Sequence, residues 1–295
     1  MKLRLAENFR AVFYAPFYAT QELGFYAREG LDIAFVDSSV PGDGAAGLLT
    51  GAVDLTWGGP MRVMKARDQD PASPLVCFGE VVARDPFYLV GRAPPAGFQF
   101  SDLARLRFAT VAEVPTPWLC LQHDLREHGL DPDRLDRISD RTMAENVTAL
   151  REERIDVAQV FEPFVSQALA DGADILYAAS ARGPTVYTSF IATRDGIARQ
   201  REAFAAAVRA VARMQDWLAA HGAADLAAAV APYYPDVAPD LLTRALGRYA
   251  KAGIWARTPA MSREGFSRLA ESLVSGKFIA RLPCFEDCVA EGFAS

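Results

Sequence analysis

Short apolar runs alternate with amphipathic stretches from the first residues of this 295-residue chain. The segments LRLAEN, LDIAFV, AVDLTW and PLVCFGEVV carry the dense apolar residues of buried strands. Between them, helical patterns run through Leu23, through Leu49 and onward from Pro60. This order predicts a parallel sheet covered by helices. The rhythm resumes at RFATVAE, with a helix from Pro117, a weak strand near Arg137 to Ser139 and a helix to Leu150. The strand IDVAQV, a further helix and the strand DILYAA follow. After Thr193 the pattern is helical only, broken by turns at His221-Gly222, Tyr234-Pro235 and Ala252-Gly253.

The two sheet-forming halves resemble each other. Gly30-Leu31-Asp32 and Gly129-Leu130-Asp131 each precede a strand, a helix ending in leucine and a strand bearing Asp54 or Asp156. Each segment closes on a proline, Pro60 or Pro163, in the first turn of a helix. Duplication explains the likeness, and so does the common appearance of βαβ units. Both explanations predict two sheets and a cleft between them.

Ligands of parallel α/β sheets sit beyond the carboxyl ends of the strands. Trp57, Gly58, Gly59 and Pro60 occupy such an end, where glycine lets backbone approach a ligand and the helix dipole favours an anionic or electron-rich group. VAEVPTPWLCL repeats the device, with Thr116 as the expected N-cap and Pro117 as the first helical residue. In the first strand-to-helix connection, ENFRAVFYAPFY, Phe13 and Phe17 read as core, while Asn8, Arg10 and Tyr14 are cleft candidates. Arginine suits a bidentate anion, and tyrosine offers a flat face and a hydroxyl. Glu162, at another strand end, either stabilises a helix dipole or recognises an amino-bearing ligand. Tyr187 is either a second wall of the cleft or a packing residue.

Composition narrows the function classes. With 51% hydrophobic and 23% charged residues the chain is globular, and a net charge of -6 argues against a nucleic-acid partner. The run FAAAVRAVARMQDWLAA is interrupted by Arg209, Arg213 and Asp216, so no direct membrane insertion is expected. The amino-terminal stretch lacks the apolar core of an export signal, so either the protein stays inside or its signal has been removed. Cys77 and Cys120 read as buried thiols, and Cys284 and Cys288, in a C-x3-C spacing, as plain thiols in preference to a disulfide. His123 and His128 lie five apart, off a common metal-facing stripe, and His221 suits a helix C-cap. There is no G-x-S-x-G, P-loop or H-E-x-x-H, and Gly42-Asp43-Gly44 lacks the third glycine of a dinucleotide site. No cofactor, metal or catalytic constellation is therefore expected.

The order GFYAREGLDIAFV, GDGAAGLLTGAVDLTWGGP, VFEPF and GKFIARLPCFEDCV resembles the solute-binding proteins of ABC importers over nearly the whole chain. The branch is that of thiamine-pyrimidine-precursor, alkanesulfonate, nitrate and riboflavin binders. The resemblance implies an α/β, two-lobed type II periplasmic binding-protein fold, each lobe a mostly parallel sheet flanked by helices. Crossings are expected near Phe87 to Val90 and Tyr187 to Phe190, with residues 1–88 and 188–295 forming lobe 1 and 89–187 lobe 2. It further implies a periplasmic monomer, served by permease and ATPase subunits, that closes about its hinge on a small-molecule ligand. In pyrimidine-precursor binders a glutamate in a Glu-Pro step holds the ligand. Glu162 matches that step, Tyr187 approximates an aromatic wall, and Asn8 stands where a tryptophan is often found. Similar folds carry enzymes, including the fungal pyrimidine synthase, a sulfinate desulfinase and phthalate decarboxylases. This chain lacks the synthase's cysteine-rich motif, and of its four lysines only Lys65 falls near the inferred cleft. A cytoplasmic enzyme or metabolite sensor is the alternative expectation.

Overall fold

In the computed structural model, which describes residues 1–36, 44–92 and 97–293, every run read as a strand joins one of two five-stranded sheets. Gly42 and Asp43 of the glycine-rich turn lie outside the described residues. The chain begins β1 (Lys2–Ala6), α1 (Ala15–Glu22), α2 (Phe25–Arg28), β2 (Asp32–Val36) and α3 (Gly44–Thr50). It continues β3 (Leu55–Gly58), α4 (Met61–Gln69) and β4 (Leu75–Val82). The second set is β5 (Tyr88–Gly91), β6 (Phe108–Ala109), α5 (Thr116–Glu127), β7 (Arg137–Ile138), α6 (Met143–Arg151), β8 (Val157–Val160), α7 (Phe164–Ala170) and β9 (Asp174–Ala178). After β10 (Thr188–Thr193) come α8 (Arg194–Arg199), α9 (Arg201–Ala220), α10 (Ala223–Val230), α11 (Pro239–Ala252), α12 (Arg263–Ser275) and α13 (Phe285–Cys288).

The sheet orders are β2-β1-β3-β10-β4 and β7-β6-β8-β5-β9, the same plan twice. In each, a parallel trio is followed by one strand inserted antiparallel, β10 between β3 and β4 or β5 between β8 and β9. The sheets are therefore mixed, although four of the five strands in each share a direction. The inserted strand is the one that has just crossed from the other sheet, and it arrives from the opposite side. The repeated sequence segments build the same parts. Gly30 and Gly129 both take left-handed backbone, at φ +67° and +75°, to end a helix. Arg4 forks onto Asp54 and Arg107 onto Asp156, tying β1 to the start of β3 and β6 to the start of β8.

Where the chain passes between sheets, the two crossings lie side by side. Thr185 N–H donates to Ala83 and Tyr187 N–H to Val82, at 2.7 and 2.9 Å. Arg182, ahead of β10, donates to Asp85, ahead of β5, at 2.5 Å, and also to Asp124 of α5. All three side chains are buried. The main core cluster runs through both halves and contains Trp57, Phe17, Phe190 and Tyr249. No helix among the described residues is long and apolar enough to cross a membrane, and the four cysteines are free thiols.

A further buried acid lies in β4. Glu80 accepts the Ser262 N–H at 2.9 Å through one oxygen while the other has no partner among the described residues, and burial pushes its carboxyl up to about 7, against which the Ser262 bond pulls. A raised folded-state value favours the protonated form, so this contribution to stability is complete below the ordinary 4.5 and is lost as pH rises through about 7. Glu80→Gln, which keeps an acceptor for Ser262, should gain about 3 kcal/mol over the parent near pH 8.5 and little near pH 5. Urea midpoints at the two pH values check this, and parallel pH profiles for both proteins would contradict it.

Candidate functional site

The segments that follow β1, β3, β6 and β8 converge, as the carboxyl ends of two facing sheets should. Between them lie two contiguous cavities of about 570 and 30 Å³ that share Phe9, Arg62 and Val114 in their walls. Phe9 and Arg62 come from the first sheet's half, and Val114, Met143, Phe161 and Phe164 from the second's. The segment from Tyr233 to Val237, between α10 and α11, closes one side of the larger cavity.

Asn8, Tyr14, Gly59, Thr116 and Tyr187 are brought together around the smaller cavity. Burial pushes the Tyr14 hydroxyl up to about 12, with Asn8 and then Arg62 pulling the other way. Gly58 sits behind Asn8, whose amide nitrogen a Cβ at Gly58 would meet at 3.7 Å. Pro60 and Pro115 take the N-cap positions of α4 and α5, one residue from the expected register. Thr116 is the first residue of α5 and caps nothing. Its hydroxyl instead donates to the Met61 sulfur at 2.7 Å, so the starts of α4 and α5 touch across the cavity. Two positively polarised helix ends thus share one small space.

Three expected ligand residues lie elsewhere or are already engaged. Trp57 is fully buried, stacked on Phe17 at 4.6 Å and flanked by Tyr18 and Phe35, because on β3 its ring faces α1 instead of the strand's end. Arg10 lines the larger cavity, but its fork is closed on Glu7 at 3.0 and 3.1 Å, which raises the guanidinium above its ordinary value and balances its charge. Glu162 lines neither cavity. Its carboxylate accepts the Ser166 N–H and hydroxyl at 3.0 Å and the Arg248 Nε at 2.6 Å, which is the helix-start role combined with an ion pair. Lys65 turns away to the Phe278 carbonyl at 2.6 Å.

Arg62, Glu113 and the Tyr233 to Val237 segment were not foreseen. Arg62 directly follows the Gly-Gly-Pro step and borders both cavities. Glu113 borders the larger one and accepts the Met143 N–H at 2.9 Å, filling the start of α6 with a carboxylate. Phe161 and Phe164 flank the Glu-Pro step, a signal that was present in VFEPF. Tyr234 and Pro235 carried only a turn signal and Tyr233 none, and their place at the cavity depends on how α10 and α11 pack. His221, as expected, ends α9, with Nδ1 against the Trp217 carbonyl at 2.8 Å. Among the described residues no cluster of histidine, cysteine or acidic side chains is arranged to hold a metal.

Two mixed sheets with an interlobe cleft at their strand ends are the architecture of the two-lobed periplasmic binding proteins. The family model described as NMT1/THI5 like matches residues 12–224, and the chain belongs to that family. A candidate binding protein of Bacillus subtilis strain 168, YtlA, is 25% identical over 272 residues, covering 91% of this chain and 81% of the relative. The periplasmic aliphatic sulphonate binding protein SsuA of Escherichia coli superimposes with a TM-score of 0.77 at 15% identity, over 98% of this chain and 97% of that one. The desulfurization enzyme DSZB shares the fold as well, with a TM-score of 0.67 at 14% identity over 98% and 97% of the two chains.

Proposed function

We propose that this protein is the substrate-binding component of an ABC-type importer, and that it holds a small planar or anionic metabolite between its two halves. The observation that carries this reading is the cavity pair walled by loops at the carboxyl ends of both sheets. In this proposal residues 1–88 and 188–295 form one lobe and 89–187 the other. They close about the paired crossings, the usual hinge device for burying a ligand. The protein works as a periplasmic monomer that delivers to permease and ATPase subunits.

The cavity chemistry narrows the ligand. About 570 Å³ lies within the range of small-molecule sites, and its walls are mainly aromatic and aliphatic, which suits a flat or apolar body. The smaller space, bordered by Asn8, Gly59, Arg62 and Thr116 at two helix starts, suits a compact polar or anionic end. With Glu162 committed to Arg248, an aromatic carboxylate or a sulfonate fits better than an aminopyrimidine held by that glutamate. The DSZB likeness favours a second reading, catalysis in the same cleft. Against it, no cysteine, histidine, serine or lysine is among the described residues that line either cavity, and burial pushes the nearby Cys120 thiol up to about 12.

Calorimetry with aromatic carboxylates, alkanesulfonates, aminopyrimidines and flavins tests the proposal, with Gly59→Ala as its structural control. A methyl group at Gly59 meets only ordinary contacts, Met61 at 3.4 Å and the Tyr187 carbonyl at 3.5 Å, so stability should hold. The same methyl intrudes on the smaller space, and an anionic ligand should lose about 1–3 kcal/mol of affinity. Turnover of a compound without measurable reversible binding would replace transport by catalysis.

A further inference from the structure

The wall segment from Tyr233 to Val237 leads directly into α11, and the far half of that helix grips the opposite wall of the cleft. On the first sheet's side the helix is tied down at both ends. The Tyr234 hydroxyl donates to the Ala11 carbonyl at 2.8 Å ahead of it, and Trp255 Nε1 donates to the Phe13 carbonyl at 3.0 Å beyond it. On the second sheet's side, Arg248 Nε donates to Glu162 Oε1 at 2.6 Å and the Tyr249 hydroxyl accepts the Glu162 N–H at 2.9 Å. Glu162 sits between Phe161 and Phe164, which both face the larger cavity. One helix anchored on the segment after β1 therefore reaches across to the segment after β8.

The two partners of the pair are held differently on their own sides. Glu162 is wholly buried, and Ser166 supplies two neutral hydrogen bonds to its carboxylate from within the second half, which remain when Arg248 leaves. Arg248 is 26% exposed and can meet water on its own side. Opening parts the Arg248 bonds to Glu162 and to the Ser166 hydroxyl, at 2.6 and 3.5 Å, together with the Tyr249 contact, and it leaves the carboxylate with neutral donors only.

We propose that Arg248, Tyr249 and Glu162 form a latch that sets the separation of the two cleft walls, with Glu162 and Arg248 acting as positioning residues that never touch the ligand. The proposal rests on the cleft being the ligand site, but the latch acts in the empty protein and is measured there. Small-angle scattering of the ligand-free wild type, Glu162→Gln, Arg248→Gln and Arg248→Lys, each with a thermal melt, tests it. The two glutamine variants should unfold cooperatively and show a radius of gyration above the scatter of replicate wild-type preparations. Arg248→Lys, which keeps the charge, should fall between them and the wild type. A merely structural contact would shift the melt and leave the radius unchanged. Wild-type radii in both glutamine variants overturn the latch, and if one of them fails to fold the other decides. A ligand panel without a binder would sink the transport reading and leave the scattering result standing, so the two failures are distinguishable.

Discussion

Replacing Arg182 with leucine is expected to remove about 3–5 kcal/mol of stability, the cost of leaving a buried charge without its partner. Arg182 holds two carboxylates at once, Asp85 in the first crossing and Asp124 on α5, and the three side chains are only 6%, 1% and 6% exposed. The remaining partners are neutral donors. Phe87 N–H reaches Asp85 at 2.9 Å, and the Tyr177 hydroxyl reaches Asp124 at 2.9 Å. Neither supplies a positive charge. Adding Asp124→Asn to the leucine variant removes one stranded anion and should recover part of the loss. Urea unfolding of the single and double variants near pH 7 measures both effects. A loss under about 1 kcal/mol would mean that the cluster is effectively solvated, since that is the range for exposed ion pairs.

Trp57→Ala should cost a similar amount, about 3–5 kcal/mol, by opening a cavity where the indole stacks on Phe17 at 4.6 Å. Trp57→Phe should be much milder, because Trp57 Nε1 has no hydrogen-bond partner among the described residues and its loss strands none of them. Ligand affinity in the phenylalanine variant should stay at the parent level, since Trp57 borders neither cavity. Chemical denaturation and calorimetry on the same samples separate the two roles. A stable Trp57→Phe protein that no longer binds ligand would return the indole to the cleft.

Trp57 marks where sequence reading stops. Backbone features were legible because they depend on local chemistry. Gly59 with Pro60 marks a strand end turning into a helix, and the Gly30 and Gly129 caps mark matching helix ends. Side-chain direction was not legible. Trp57 and Gly59 are two residues apart, yet one packs against α1 and the other borders the cavity. Glu162 was located correctly at a strand end, but its partner lies 86 residues away on α11, whose amphipathic pattern says only that one face is buried. Arg10 lies three residues from Glu7, a spacing that permits the fork seen here but does not require it. The mixed character of the sheets depends on which strand the crossing segments join, and that is decided by tertiary packing.

The measurement that bears most directly on the cleft as the ligand site is a crystal structure of the protein with the tightest-binding compound of the panel. The account predicts density for that compound between Phe9, Phe161 and Tyr233, with its polar end toward Gly59 and Thr116 and with Glu162 still paired to Arg248. Density on an outer surface, or a compound bonded directly to Glu162 with Arg248 displaced, would contradict it.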